Sequence, residues 1–150
     1  MRVEPKEIIV PIVDIFAEVE RLKLDLDNLL IEDLQAEMRA DGDLLLLDIR
    51  EIQELVDLGT IPGAVHVPRG MMEFWASPTS PYYRDYFTED KRIVVFCAGG
   101  GRSAFAARDL KAMGFNHVAH LEAGFNGWAK AGGELEDFAS TSRWVRREET

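Results

Sequence analysis

One stretch of the sequence constrains the fold more than any other. Four apolar residues, Ile93 to Phe96, precede Cys97 and, after Ala98, three consecutive glycines, and a run suited to a helix continues to Met113. A short apolar run rich in β-branched residues is typical of a strand buried on both faces, as in a parallel sheet. Glycines let backbone N–H groups approach a ligand, and the N-terminus of a following helix favours anions. The stretch therefore predicts a buried strand, an anion-binding loop with a thiol at its rim, and a helix.

Similar apolar runs alternate with short helical patterns along the rest of the chain. Besides the central unit, strands are predicted at 22–26, 44–47, 64–67 and 118–121, and helices at 5–22, 31–39, 51–58 and 124–131. Asp27 or Asn28 is expected to cap the second of these helices. The alternation indicates a single α/β domain with a central, mainly parallel sheet of about five strands flanked by helices.

The N-terminal segment is expected to form an extra helix. Apolar residues recur at spacings of three and four from Ile8 to Leu22, and Pro11 would start or kink the helix. Packing of this face on the flank of the domain is favoured over dimerisation, because amphipathic helices usually serve their own core. We therefore expect an N-terminal extension over residues 1–27, a main domain over 28–137 and a C-terminal tail over 138–150.

The composition argues against several classes of function. A net charge of −10 and a pI near 4.7 disfavour binding to nucleic acid or to an anionic membrane surface. The single cysteine excludes an internal disulfide framework and cysteine-rich metal sites, and it suits a reducing compartment. With neither an export signal nor a run of about 20 apolar residues, a cytoplasmic location is expected. No metal site is predicted, and His66, His117 and His120 show no spacing that pairs them with Cys97.

The position of Cys97 suggests a chemical role. In open α/β sheets, ligand sites lie beyond the carboxyl ends of the strands, which is where this residue is predicted to be. The loop N–H groups and the helix N-terminus would stabilise its thiolate. Between Lys91 and Arg108 there are four basic residues and no acidic one, and Arg102 falls in the first helical turn, where acidic residues are usual. An anion bound in the loop would explain this placement; a surface carboxylate is the alternative partner for Arg102.

A dinucleotide-binding loop is the first rival interpretation. Residues 99–104 match the G-x-G-x-x-A pattern, and Glu122 follows about 20 residues later. Only 28 residues follow Glu122, however, which is too few for the remainder of a dinucleotide-binding half. The Gly-Lys-Ser/Thr of a P-loop is also absent, so a nucleotide cofactor is not expected.

Several motifs together resemble the single-domain rhodanese family, the thiosulfate sulfurtransferase-like proteins. The resemblance covers residues 28–136 and implies a rhodanese-like α/β fold. Residues 47–51 resemble the family's Asp-Val-Arg-Glu stretch, 59–68 its Gly-His-Ile-Pro-Gly-Ala segment, 97–102 its six-residue active-site loop and 121–128 its Gly-Gly-Phe-x-x-Trp segment. Thr60 and Ala123 depart from these motifs, because they replace a histidine and a glycine.

The resemblance implies a sulfurtransferase in which Cys97 is the nucleophile and carries sulfur as a persulfide. The implied substrate-binding residues are those of the loop: Ala98, Gly99, Gly100, Gly101, Arg102 and Ser103. The implied donor is thiosulfate or a similar small anion, and the acceptor is cyanide or a thiol, including a protein thiol, with no cofactor. Asp48 and Arg50 are expected to order the strand-to-helix turn through a salt bridge and to support the site structurally. A monomer and a homodimer both remain open.

Two other functions and one structural question stay open at this point. A cysteine phosphatase or arsenate reductase has a Cys-x5-Arg loop, whereas four residues separate Cys97 from Arg102. A non-catalytic or redox-sensing partner module is the other alternative, although such rhodanese-like domains typically lack the cysteine. The aromatic segment over 71–90 either packs on the domain, which is favoured, or forms part of a substrate mouth.

Overall fold

The structure is a computed structural model that describes residues 10–40 and 42–141. The strands are β1 (Asp27–Leu29), β2 (Leu44–Asp48), β3 (Val65–His66), β4 (Arg92–Phe96) and β5 (His117–Leu121). The helices are α1 (Ile15–Lys23), α2 (Ile31–Arg39), α3 (Ile52–Leu58), α4 (Met72–Ala76), α5 (Gly101–Met113), α6 (Gly124–Lys130) and α7 (Phe138–Thr141), and a 3-10 turn at Arg69–Met71 precedes α4.

The five strands form one sheet in the order β1-β5-β4-β2-β3, and every neighbouring pair is parallel. Parallel neighbours place their carboxyl ends at the same edge of the sheet, and crossover helices cover both faces. β4 lies in the centre, and Val95 pairs with Leu47 on one side and His120 on the other. The predicted α/β fold with a parallel central sheet is confirmed.

Alternate residues of the central strand feed two hydrophobic cores. Ile93 and Val95 belong to the core that also contains Leu110 of α5, whereas Val94 and Phe96 belong to the core that contains Trp128 of α6. All four strand residues have no exposed surface. This explains why the strand has no polar alternation in sequence: both of its faces are buried.

The N-terminal helix begins later than predicted. α1 begins at Ile15, and Asp14 caps it by accepting a hydrogen bond of 3.2 Å from the Ala17 N–H. Residues 10–14 are not helical, and positions 5–9 of the predicted helix lie outside the described residues. The expected flank packing is made by Val19 and Leu22, which are buried and lie on the side of α1 that packs against α5. The prediction of a continuous helix from residue 5 is wrong over 10–14, because Asp14 satisfies the free N–H groups of a new helix start.

The strand predicted at 22–26 is also wrong. Leu22 and Lys23 end α1, and the strand is Asp27–Leu29 instead. The side-chain amide of Asn28 donates to the carbonyl oxygens of Lys23 (2.8 Å) and Leu26 (3.1 Å), and this closes a tight turn. Neither Asp27 nor Asn28 caps α2, whose N-cap position is occupied by Leu30 without a side-chain hydrogen bond.

The aromatic segment packs on the domain, as favoured. Phe87 is buried 5.9 Å from the Phe115 ring, at the C-terminal end of α5, and the Arg84 guanidinium lies 4.5 Å from the Trp75 ring. The Tyr83 hydroxyl donates to the Phe87 carbonyl. These contacts lie at the end of α5 opposite to Cys97. Within the described part of the chain, no helix is long and apolar enough to span a bilayer.

Candidate active site

The candidate site is the loop that joins β4 to α5. Cys97 follows the last residue of β4, and Gly100 is the N-cap residue of α5. Gly100 has φ +101°, and a Cβ there would lie 2.4 Å from the Glu122 carbonyl oxygen. Only glycine combines this left-handed backbone with such a close approach. The loop is therefore held against the end of β5 by a contact that any side chain would break.

The N-terminus of α6 fixes the other side of the loop. The Phe125 N–H donates to the Cys97 carbonyl (2.8 Å), and the Asn126 N–H donates to the Ala98 carbonyl (3.0 Å). Gly124 has φ +65°, and a Cβ there would lie 2.3 Å from the Ala98 oxygen. Ala123, which replaces a glycine of the usual motif, has φ −80° and therefore carries a side chain without strain.

The Cys97 thiol is buried among hydrogen-bonding groups: it accepts from the backbone N–H groups of Gly100 and Ser103 and donates to the Ser103 hydroxyl oxygen. Its Sγ lies 3.2 Å from the Gly100 N and 3.4 Å from the Ser103 N, and 3.5 Å from the Ser103 Oγ. The sulfur therefore faces two backbone N–H groups at the N-terminus of α5. Such an arrangement stabilises negative charge on sulfur through hydrogen bonds and through the helix dipole. Three of the predicted site residues, Cys97, Gly100 and Ser103, are thus brought together.

A buried hydrogen-bond chain continues from Ser103 and was missed by the sequence analysis. The Ser103 Oγ lies 3.0 Å from Nδ1 of His120, and Nε2 of that ring lies 2.7 Å from the Asn28 Oδ1. Since the Asn28 NH2 group donates to two carbonyls, its Oδ1 accepts from His120, and Nδ1 is left to accept from the Ser103 hydroxyl. A sequence signal for this link did exist, because His120 lies near the carboxyl end of the strand predicted at 118–121, the same end of the sheet at which ligand sites are expected.

Burial keeps the imidazole neutral. Desolvation by burial, with a smaller effect from the charge of Lys23, lowers the pKa of His120 from 6.5 to about 4. At neutral pH the ring therefore serves as one donor and one acceptor, which agrees with its two partners.

Arg102 pairs with a surface carboxylate, which was the alternative to the expected bound anion. Its guanidinium makes two hydrogen bonds to the Glu54 carboxylate, of 2.8 and 2.9 Å, at a partly exposed position. The bond from Arg102 is the main cause that lowers the pKa of Glu54 below its usual value. The basic residue in the first turn of α5 is thus explained without a bound anion, although it still borders the cavity at Cys97.

Asp48 and Arg50 form a fully buried ion pair beneath the site. Two hydrogen bonds join them, Nε to Oδ1 (3.0 Å) and Nη2 to Oδ2 (2.9 Å), and Arg50 also donates to the Gly59 carbonyl (2.7 Å). Thr60 donates its hydroxyl to Asp48 (2.8 Å), and the guanidinium lies 4.0 Å from the Phe125 ring. The pair therefore links the end of β2 to α6, the helix that holds the cysteine loop.

A cavity of about 540 Å³ opens at Cys97. The loop and the first turns of α5 form one side of it, including Arg102 and Phe105, and α1 contributes the other side. Of the residues that the structure describes, none from the aromatic segment 71–90 lines this cavity. Among the same residues, no cluster of histidine, cysteine and acidic side chains is suited to a metal ion.

Comparison with known proteins assigns the family. A model of the rhodanese-like domain matches residues 30–131. The chain is 30% identical over 101 residues to a sulfurtransferase of Allochromatium vinosum. The match covers 67% of this chain and 86% of that protein. It is 34% identical over 98 residues to YrkF of Bacillus subtilis, which is named a putative sulfur carrier protein. That match covers 65% of this chain and 48% of YrkF. The chain thus spans about half the length of that relative.

Solved structures agree with this assignment. RPA3614 from Rhodopseudomonas palustris, described as a protein of unknown function and a possible tyrosine phosphatase, matches with a TM-score of 0.77 and 39% identity, over 89% of this chain and 100% of that one. A thiosulfate sulfurtransferase from Pseudomonas aeruginosa matches with a TM-score of 0.66 and 30% identity, over 81% of this chain and 22% of that one. The chain belongs to the rhodanese-like domain family, whose members include sulfurtransferases, and the expected resemblance is confirmed.

Proposed function

We propose that this protein is a sulfurtransferase that carries sulfur on Cys97 between a sulfane-sulfur donor and a nucleophilic acceptor. One observation carries the proposal: the Cys97 Sγ lies 3.2 Å from the Gly100 N and 3.4 Å from the Ser103 N, at the start of α5. A sulfur atom in that position is a nucleophile whose anionic form is stabilised before any substrate arrives. The family and its sulfurtransferase members support the same chemistry.

The first half-reaction loads the cysteine. The Cys97 thiolate attacks the outer sulfur of thiosulfate, a new S–S bond forms, and the bond between the two thiosulfate sulfurs breaks. Sulfite leaves with the electron pair of that bond, so Cys–S⁻ and S–SO₃²⁻ give Cys–S–S⁻ and SO₃²⁻. Backbone N–H groups of the loop stabilise the anionic persulfide that remains. Gly100 and Ser103 supply the two N–H groups nearest to the sulfur.

The second half-reaction transfers the outer sulfur from Cys97 to the acceptor. Cyanide or a thiolate attacks the outer sulfur of the persulfide, and the electron pair of the S–S bond returns to Cys97. The products are thiocyanate or a new persulfide, and the thiolate is regenerated. A cytoplasmic location, inferred from the single free cysteine, forms part of the proposal, because a reducing compartment keeps the nucleophile available.

Mass spectrometry of the intact protein tests the proposal. Incubation with thiosulfate should add one sulfur atom to the wild-type chain, and cyanide should remove it with release of thiocyanate. The Cys97→Ser variant should gain no sulfur. An equal adduct on wild type and on Cys97→Ser, or no adduct on wild type, would overturn the proposal.

A phosphatase activity is the second candidate, because RPA3614 is described as a possible tyrosine phosphatase. The spacing in this chain disfavours it, since four residues lie between Cys97 and Arg102 instead of five. In addition, the Arg102 guanidinium is engaged by Glu54. Hydrolysis of an aryl phosphate that depends on Cys97, at a rate above that of persulfide formation, would reverse this preference.

A further inference from the structure

The cavity at Cys97 has a wall that comes from outside the family-matched region. The rhodanese-like match begins at residue 30, whereas α1 spans Ile15–Lys23. Three residues of α1 line the cavity: Ile15, Phe16 and Val19. The chemistry of the loop is therefore shared with the family, but the shape and polarity of the cavity above it depend on a helix that lies outside the family-matched region.

Contacts on both sides hold α1 in place as a wall. Val19 and Leu22 are buried, and α1 packs along α5. Gly101 lies directly beneath, since a Cβ on it would be 3.9 Å from the Val19 Cγ2. The C-terminal end of α1 is tied to β1 by the hydrogen bond from Asn28 to the Lys23 carbonyl. The wall is thus fixed by packing against α5 and by the turn that Asn28 closes after α1.

The surface that α1 presents to the cavity is apolar and exposed. Phe16 is 76% exposed and Ile15 is 52% exposed, although both border the cavity. Phe105 of α5 adds a second aromatic ring to the lining. Arg102 is the one charged side chain among the described lining residues, and Glu54 already neutralises it. A ligand in this cavity therefore meets mostly hydrocarbon.

Thiosulfate and cyanide leave most of this surface unused. Both are small ions without an apolar part, whereas cavities of several hundred Å³ usually bind organic molecules through apolar contacts with a few polar groups. An acceptor that covered Phe16 and Ile15 would gain free energy in proportion to the apolar area that it removes from water. The thiol end of such an acceptor would still have to reach the sulfur on Cys97.

We propose that the cavity between α1 and the cysteine loop selects, as sulfur acceptor, a small organic thiol with an apolar body. This inference rests on the proposed function, because it concerns the second half-reaction at the same cysteine. The acceptor thiol R–SH passes its proton to the loaded persulfide, Cys–S–S⁻, and the resulting thiolate R–S⁻ attacks the outer sulfur of Cys–S–SH. The S–S bond to Cys97 breaks, and its electron pair stays on the Cys97 sulfur. The products are R–S–SH and the Cys97 thiolate, so atoms and charge balance without a further reactant.

The test separates the two half-reactions. The protein is loaded with thiosulfate, freed of excess donor and mixed with phenylmethanethiol, ethanethiol or cyanide, and the loss of the persulfide is followed in single turnovers. The variant is Phe16→Ala, and the matched control is Phe74→Ala, which removes an exposed phenylalanine (57%) of α4 that does not line the cavity. For each acceptor, the rate constant of the variant is divided by that of the wild type, so that the intrinsic reactivity of the acceptor cancels.

We expect Phe16→Ala to lower the second-order rate constant for phenylmethanethiol about tenfold, the scale at which an apolar pocket discriminates small groups. Ethanethiol should lose less than threefold, and the reactions with cyanide and with thiosulfate, which have no apolar part, should be affected least. Phe74→Ala should match wild type with all three acceptors. An equal effect of Phe16→Ala on phenylmethanethiol and ethanethiol, or no effect on either, overturns the inference while leaving the proposed function intact.

A second measurement avoids sulfur transfer altogether. The unloaded Cys97 is alkylated with N-benzyliodoacetamide and with iodoacetamide, and the ratio of the two rates is compared between wild type and Phe16→Ala. A ratio that falls in the variant supports an apolar cavity. If wild type forms no persulfide at all, the proposed function and the acceptor assignment both fail, and this ratio still reports whether the cavity prefers apolar groups.

Discussion

The Ser103 hydroxyl and the His120 imidazole are joined by a hydrogen bond of 3.0 Å between two side chains that have no exposed surface. This bond connects the cysteine loop to β5, and through Asn28 to β1. Three segments that are far apart in sequence thus meet in one buried polar chain beside the nucleophile. Each member of the chain satisfies a group that would otherwise be buried without a partner.

Because His120 is buried as a neutral ring, we predict that the free energy of unfolding falls as the solution becomes acidic. Because the folded state has a pKa near 4 and the unfolded value is 6.5, the unfolded chain binds more protons between these pH values. The contribution to the free energy of unfolding is present above pH 6.5 and is lost as the pH falls towards 4. We expect the difference in stability between wild type and His120→Gln to shrink by about 3 kcal/mol from pH 7 to pH 4. Urea unfolding at a series of pH values measures it.

The control for this prediction is His117→Gln on the same strand. His117 is exposed, so this variant should follow the wild-type pH dependence. A constant difference between wild type and His120→Gln across the pH series would contradict the assignment of a buried, neutral imidazole.

Gly100→Ala should damage both the fold and the loop. The backbone at φ +101° costs an alanine about 1 kcal/mol or more, and the new Cβ would meet the Glu122 oxygen at 2.4 Å. We expect a loss of more than 2 kcal/mol in stability and at least a hundredfold loss in persulfide formation. Gly114→Ala is the matched control, because Gly114 has φ +112° but open space around it. That variant should lose only about 1 kcal/mol and keep its rate of persulfide formation.

Removing different partners of the buried Asp48 carboxylate should lower the stability by different amounts. Arg50→Met leaves the Asp48 carboxylate buried without its cation, which should cost about 3–5 kcal/mol. Thr60→Val removes only one hydrogen bond to that carboxylate, which should cost about 1–2 kcal/mol. Urea unfolding of both variants checks the order. A Thr60→Val variant that is less stable than Arg50→Met would show that the hydroxyl, and not the guanidinium, holds the carboxylate.

Glu54 and an anionic donor should compete for Arg102. In Glu54→Gln the guanidinium loses its partner carboxylate and becomes available to an anion at the edge of the cavity. We expect the KM for thiosulfate to fall about two- to fivefold, with kcat nearly unchanged and with an effect that weakens as salt is added. Glu73→Gln, which removes one of the two carboxylate partners of Arg69, serves as control and should leave KM unchanged. A higher KM in Glu54→Gln would mean that the ion pair itself builds the donor site.

The central unit could be predicted because local and global requirements coincide there. Residues 93–96 form a strand in any environment that buries both faces, and of the three glycines that follow, Gly100 is required by its close approach to the Glu122 carbonyl. The same holds for α3, where Glu51 and Glu54 form a capping box and Gly59 takes φ +81° at the end. In these segments, sequence alone specifies both the element and its ends.

The missed features depend on contacts between distant segments. Asn28 and His120 are 92 positions apart, and their bond exists only because β1 pairs with β5. The alternation at 22–26 looked like a strand, but the amide of Asn28 makes a turn there instead. Similarly, nothing local to α1 indicates that it, and not the aromatic segment, borders Cys97, because this follows from its packing against α5.

The anchoring of the cysteine loop by α6 has a consequence for how the chain acquires its chemistry. The carbonyls of Cys97 and Ala98 receive their hydrogen bonds from Phe125 and Asn126, which follow them by more than twenty residues. A nascent or partly folded chain that lacks α6 would hold the thiol on an unanchored loop, open to oxidation by other molecules. The order of synthesis therefore places the nucleophile before the element that anchors its loop, so the loop gains these two hydrogen bonds only once α6 has docked.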